Sequence, residues 1–243
     1  MGIAEYLNII QQLGEGMLAT LLIFVLTLVF SMPLGLLVSF GRMSKWAPFG
    51  FLISENPLEV KGFHKWLGSF KPIQCLAKIY ISVLRGTPLM LQLLVVYFGP
   101  YYVFGISLNK SYRFIAVLVG FSINYAAYFA EIYRSGIESI PVGQYEAASV
   151  LGYNKYQTFF KIVFPQMVKR ILPPVTNEII TLVKDTAMAF VLTYTEMFTV
   201  AKQIAAAEKT IIPLFIAGVF YFIFNAIVAY VMEKVEKTLS YYR

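Results

Sequence analysis

No charged side chain interrupts the chain between Met17 and Gly41. A helix needs about 20 apolar residues to cross the roughly 30 Å hydrocarbon core of a bilayer, so this run is long enough to span it and too long for a helix that merely covers a soluble core. The feature recurs. Gly86 to Asn109, Phe114 to Ala130 and Ile211 to Met232 are also uncharged, and Leu172 to Phe198 is interrupted only by Glu178, Lys184, Asp185 and Glu196. The runs are continuously apolar, whereas a transmembrane barrel shows short alternating segments. The chain therefore reads as an all-α integral membrane protein with about five transmembrane helices. The spans are expected at about 17–41, 75–104, 113–135, 171–198 and 211–232 of a single domain covering 1–243. Pro88 should kink the second. Hydrophobic residues make up 58% of the sequence and charged residues 14%, against roughly half and a quarter in soluble domains.

The distribution of Lys and Arg orients these spans, because short cytoplasmic connections carry the positive excess. None precedes the first run. Arg42, Lys45, Lys61, Lys65 and Lys71 follow it, and Lys155, Lys161, Lys169 and Arg170 follow the third. An external N-terminus and a cytoplasmic C-terminus satisfy every loop. The first run has no basic residue before it and no small-residue cleavage site after a short apolar core, so it is expected to remain as a membrane helix. The connection from Trp46 to Phe70, with two tryptophans, Pro48 and Pro57, reads as a cytoplasmic segment lying partly in the membrane interface.

Several function classes are excluded. The net charge of +7 comes from cations scattered between apolar segments, with no basic stripe of the kind that binds nucleic acid. Cys75 and His64 are single, so neither an intrachain disulfide nor a paired haem ligation is available. There is no G-x4-G-K-[ST] phosphate loop, H-E-x-x-H or G-x-S-x-G. The chain is not expected to be an enzyme or to bind a metal or nucleotide itself.

The connection between the third and fourth spans, about 136–170, is long for a structureless loop. Glu146, Ala147 and Ala148 begin a helix-forming stretch, Gly152 interrupts it, and a second amphipathic stretch from Tyr156 to Phe164 is expected to end at Pro165. Val150, Leu151, Tyr156, Phe159, Phe160 and Val163 are too apolar for a solvated loop and must dock on something. This stretch resembles the inner-membrane permeases of bacterial ABC importers, whose cytoplasmic signature is E-A-A-x3-G-x9-I-x-L-P. Glu146, Ala147, Ala148, Gly152, Ile162 and Pro165 stand at that spacing, with Phe164 in place of the leucine.

A second resemblance narrows the branch. Arg85, Gly86, Thr87, Pro88, Leu89 and Gln92 look like the R-G-T-P-L-x-x-Q-L signature of polar amino acid permeases. Asn177, Glu178, Lys184, Asp185 and Thr186 are similar to the same branch's N-E-x5-K-D-[ST], and Ala130, Glu131 and Ile132 add to the likeness. The resemblance to the histidine, glutamine and arginine permeases implies a type I ABC importer architecture in a bacterial inner membrane. It also implies partners: a second permease copy or homologue, an ABC ATPase dimer that binds the ATP and Mg, and an extracellular solute-binding protein that delivers the amino acid. The 46–70 connection departs from the shorter loop of that family. A rival reading, an ATP-independent secondary transporter or channel, explains the spans but not the spaced cytoplasmic signature.

Ionisable residues within spans are costly and mark functional candidates. Arg85, Glu131, Arg134 and Glu178 are expected at similar cytoplasmic depth, as an ion-pair cluster that either holds helices together or closes an inner gate. Lys184, Asp185 and Thr186 fall near the midplane, at the depth of Gln92, Asn124 and Tyr125, where transporters tend to bind. Along a helix, Asn177, Thr181, Lys184 and Met188 would share one face, and Glu178, Asp185 and Leu192 a neighbouring one. A wall offering both signs suits a zwitterionic amino acid. Pairing of Lys184 and Asp185 with neighbouring helices is the alternative.

Overall fold

Helix α1 runs from Ile3 to Arg42 without a break. Its 40 residues extend about 60 Å at 1.5 Å per residue, twice the hydrocarbon thickness. The helix thus starts well before the expected 17–41. The reason is local: Ile9 and Leu13 are buried on Met197, Ala201 and Ala217, while Glu5, Asn8, Gln12 and Glu15 stay on the exposed side. Two glycines let this helix approach its neighbours closely. A Cβ on Gly16 would come within 2.8 Å of the Met197 Cα, and one on Gly35 within 2.8 Å of the Phe129 Cβ.

This computed structural model describes residues 3–50, 68–107 and 109–239. The expectations for the 46–70 connection, including His64, fall mostly outside that range. All regular structure among the described residues is helical.

The expected second span, 75–104, is two helices, α2 (Pro72–Gly86) and α3 (Leu89–Phe104), whose axes differ by 112°. Pro88 does more than kink the chain. Its ring drives the preceding residue out of the helical region, and Thr87 is extended at φ −121°, ψ 149°. Helix α4 (Lys110–Glu138) follows, its first turn closed by the Asn109 side chain accepting from the Tyr112 amide at 2.7 Å. It is the centre of the bundle. Val117, Phe121, Tyr125, Phe129 and Tyr133 are buried along it, and α1, α2 and α3 all pack on it.

The connection expected at 136–170 is mostly helix. Helix α5 (Val142–Val150) begins after Pro141, so Glu146 lies in its second turn rather than at its start. Helix α6 (Lys155–Thr158) opens with a capping box in which Asn154 and Gln157 exchange backbone and side-chain bonds, and it passes through a π turn, Phe159–Val163, into α7 (Phe164–Asp185). Pro165 therefore does not end a helix. It sits in the first turn of α7, just after the widened π turn, where its missing N–H and bulky ring are tolerated.

The expected fourth span, 171–198, is also not one α-helix. Helix α7 stops at Asp185, tightens into a 3₁₀ turn, Thr186–Leu192, and reverses at Thr193, which adopts φ 51°. The shared faces drawn through Met188 and Leu192 therefore end at Lys184 and Asp185. Helix α8 (Met197–Glu208) turns back along the start of α1, and α9 (Ile212–Leu239) continues past the expected 232. Among the described residues, helices α1, α4 and α9 are each long and apolar enough to cross a membrane, and the bent α2–α3 pair passes the same test only if its two halves are taken as one span.

Candidate functional site

The break between α2 and α3 exposes the carbonyls that close a helix, and these need donors. Gln92 and Asn124 supply them. The Gln92 Nε2 donates to the Leu84 carbonyl at 2.9 Å, the Thr87 carbonyl at 3.0 Å and the Thr87 Oγ1 at 2.8 Å. Asn124, from α4, donates to the Gln92 Oε1 at 2.9 Å and to the Leu84 carbonyl at 3.2 Å. Both side chains are buried. The two amides assigned from sequence to the substrate path bond to each other, and their remaining hydrogen bonds run to the broken helix.

Tyr125, the next residue along α4, donates its hydroxyl to the Asp185 Oδ2 at 2.7 Å. Asp185 is half-buried at the last residue of α7, and Thr186, fully buried, donates its hydroxyl back to the Val183 carbonyl at 2.7 Å. Lys184 points elsewhere. Asn177, Thr181 and Lys184 lie three to four residues apart on α7 and are all exposed on the surface of the single chain. A polar face at membrane depth is tolerated where it lines water or protein, not lipid tails.

The inner charges divide into two groups instead of one cluster. The Glu131 carboxylate pairs with Arg134 at 2.6 Å and with Arg42 at the end of α1 at 3.6 Å, and Arg134 also reaches Glu138. Arg85 instead stands over the Tyr128 ring, 5.2 Å from its centre, and Glu178 is half-buried on α7. Arg42, Glu138 and Tyr128 had no part in the sequence-based cluster. The end of α1 comes beside α4 only through the tertiary fold.

Another site has no counterpart in the sequence reading. Glu196 is fully buried and caps α8, accepting from the Phe198 and Thr199 amides at 2.6 Å each, the Thr199 hydroxyl at 2.8 Å and the Tyr221 hydroxyl at 3.1 Å. Thr20 of α1 accepts from the neighbouring Met197 amide at 3.3 Å. The available signal was an acidic residue just before an apolar helical run, the position of an N-cap.

The segment from Glu146 to Pro165 has its own geometry. Gly152 takes φ 74°, a left-handed conformation that costs a residue with a Cβ about 1–2 kcal/mol. Its amide donates to the Ser149 carbonyl at 3.0 Å, and the Tyr153 amide to the Ala148 carbonyl at 3.0 Å, the paired bonds of a Schellman end. Ala148 is buried, while Glu146 and Ala147 are exposed beside Val150, Leu151, Tyr156 and Phe160. Ile162 lies in the π turn and Pro165 at the start of α7. The result is an exposed apolar knob on the surface of the described residues. Among the described residues, no three His, Cys, Asp or Glu side chains are placed to hold a metal.

Residues 66–241 match the family described as binding-protein-dependent transport system inner membrane component. The arginine transport system permease protein ArtQ of Bacillus subtilis (strain 168) is 34% identical, over 93% of this chain and 91% of that protein. The L-cystine transport system permease protein TcyB of the same organism is 30% identical, over 100% and 94%. A crystal structure of an amino acid ABC transporter with histidines superposes with a TM-score of 0.79 at 28% identity, over 98% of this chain and 99% of that one. The inward-facing MetNI methionine ABC transporter shares the fold at 15% identity, with a TM-score of 0.68 over 98% and 99%.

Proposed function

This chain belongs to the family of binding-protein-dependent transport system inner membrane components, and from that premise we propose that it forms the membrane path for a polar amino acid in an ATP-binding-cassette importer. It has the type I importer permease fold, and the family works with ATPase and binding-protein partners. In the proposed assembly, two permeases face each other across the path and an ATPase dimer holds the ATP and its Mg. A solute-binding protein delivers substrate on the side of the N-terminus, and the C-terminus is cytoplasmic. The knob of Val150, Leu151, Tyr156 and Phe160 is the seat of the ATPase, and its closure is transmitted into the membrane because α6, the π turn and α7 form one continuous helical path.

The observation that carries the reading is the polar face of Asn177, Thr181 and Lys184, exposed in the single chain beside Asp185 at the point where α7 gives way to a 3₁₀ turn. A second permease facing that surface encloses it in a water-filled path, and the Asp185 carboxylate, held by Tyr125, meets the ammonium of the substrate. In this reading the exposed Lys184 meets its carboxylate. Asp185→Asn keeps the shape and removes the charge. In the reconstituted complex it should weaken transport by about 1.5–3 kcal/mol, the scale of a charged hydrogen bond, or roughly ten- to a hundredfold, while ATPase assembly stays intact. Loss of folded yield, restored by adding Lys184→Met, would instead make Asp185 a structural partner of Lys184 and remove it from recognition.

A further inference from the structure

At the coupling-loop end of α7, about 22 Å along the helix from Asp185 at 1.5 Å per residue, lies a cavity of about 1120 Å³. Lys161, Gln166, Lys169 and Arg170 line it from one side, and Thr238 and Leu239 of α9 from the other. No carboxylate is among its described lining residues. Arg170 gives one N–H to the Ser139 carbonyl, which leaves most of the five donors of a guanidinium for another acceptor. The Lys161 ammonium lies 5.5 Å from the centre of the Tyr153 ring.

A second cavity, of about 390 Å³, adjoins it. Met32, Pro33 and Leu36 of α1, Tyr133 of α4, and Ile171 and Val175 of α7 form its wall. Phe164 and Val168 belong to both linings, so the basic chamber opens beside an apolar slot. Pro33 is nine residues from the end of α1 at Arg42, roughly 13 Å along the helix. That depth is less than half of the roughly 30 Å hydrocarbon core, so the slot stays within one leaflet.

We propose that the joined cavities hold one anionic glycerophospholipid of the leaflet on the coupling-loop side, its phosphate against Lys161 and Arg170 and one acyl chain in the slot beside Val168. Basic pockets between helices at this membrane level attract anionic headgroups. A zwitterionic lipid would bring an ammonium against the same cations. A soluble phosphate would satisfy the chamber and leave the slot unused. A second copy of the chain docking here by a twofold axis would set the same cations against each other.

The test is native mass spectrometry of the full permease complex, purified and exposed to equal amounts of phosphatidylglycerol and phosphatidylcholine with matched acyl chains. Phosphatidylglycerol should be retained over phosphatidylcholine, and the double change Lys161→Gln with Arg170→Gln should lower that retention on the order of tenfold. Val168→Trp, which blocks the junction without altering charge, should lower retention of the intact lipid. It keeps the proposal open to refutation if the double variant does not fold. Lys202→Gln, on α8, should change nothing. Equal retention of the two lipids, or retention unmoved by both the double change and Val168→Trp, overturns the site. So does displacement of the lipid by inorganic phosphate or by glycerophosphoglycerol, which would reduce the site to a headgroup pocket.

Discussion

The Asn124 amide lies 2.9 Å from the Gln92 Oε1, and both side chains hold the Leu84 carbonyl that the break after α2 releases. Two side chains thereby hold the ends of a 112° bend. Replacing either Gln92 or Asn124 with Leu takes from the other buried amide its side-chain partner, at about 1–3 kcal/mol. Because the bond between the two amides is lost in either single replacement, the double replacement should cost less than the sum of the two. Thermal unfolding of the purified complex measures this. Additive losses would mean that the two amides act independently.

Tyr125→Phe removes the hydroxyl that orients Asp185 and keeps the ring that packs in the core. Half-saturation for uptake should rise by roughly 0.5–1.5 kcal/mol, the usual net value of one hydrogen bond, with little change in folded yield. An unchanged uptake curve would show that the Asp185 carboxylate needs no orientation from α4.

Gly152 adopts φ 74° with open space where a Cβ would stand, so substitution there acts through the backbone alone. Gly152→Asn, a residue that tolerates the left-handed region, should copurify with the ATPase and sustain ATP-driven uptake. Gly152→Val should insert normally and lose both. Glu146→Lys, which reverses a charge on the exposed face of α5, should likewise lose ATPase copurification. Full activity of Gly152→Val together with Glu146→Lys would remove this loop from coupling.

The buried Glu196 satisfies two amides of α8 and the Thr199 hydroxyl. Glu196→Ala should destabilise the protein by about 2 kcal/mol or more, as the cap and its acceptors are lost together. Tyr221→Phe, which deletes one longer bond of 3.1 Å, should cost no more than about 1 kcal/mol. The ranking can be read from thermal unfolding in a single detergent, and a reversed order would relocate the anchor of this junction to Tyr221.

The proposed topology is tested with single cysteines on a Cys75→Ser background. Gly2→Cys should react with an impermeant thiol reagent applied to intact cells, and Lys155→Cys only after the membrane is opened. Lys155 is exposed and, unlike Asn154, is not the cap of α6. Labelling of Lys155→Cys in intact cells would invert the orientation.

The membrane character, the helical class and the helix end at Gly152 were determined by the sequence alone, because each rests on contiguous residues. An uncharged run such as Met17 to Gly41 has one energetically acceptable environment, and Gly152 after Glu146, Ala147 and Ala148 encodes its own helix end. The start of α1 at Ile3, the turn at Pro88 and the stop of α7 at Asp185 were decided by the tertiary structure. Ile9 and Leu13 become helix-stabilising only when α8 and α9 cover them. The proline dictates an extended Thr87, but the sharpness of the bend depends on Asn124, 40 residues from the Leu84 carbonyl it satisfies. The charges followed the same rule. Glu131 and Arg134 pair within one helix and are legible from their spacing, whereas Arg42 joins them, and Arg85 finds Tyr128, only because packing brings separate helices together. Buried polar groups take whatever partner lies in reach in space, and reach across helices is not written in any local window of sequence.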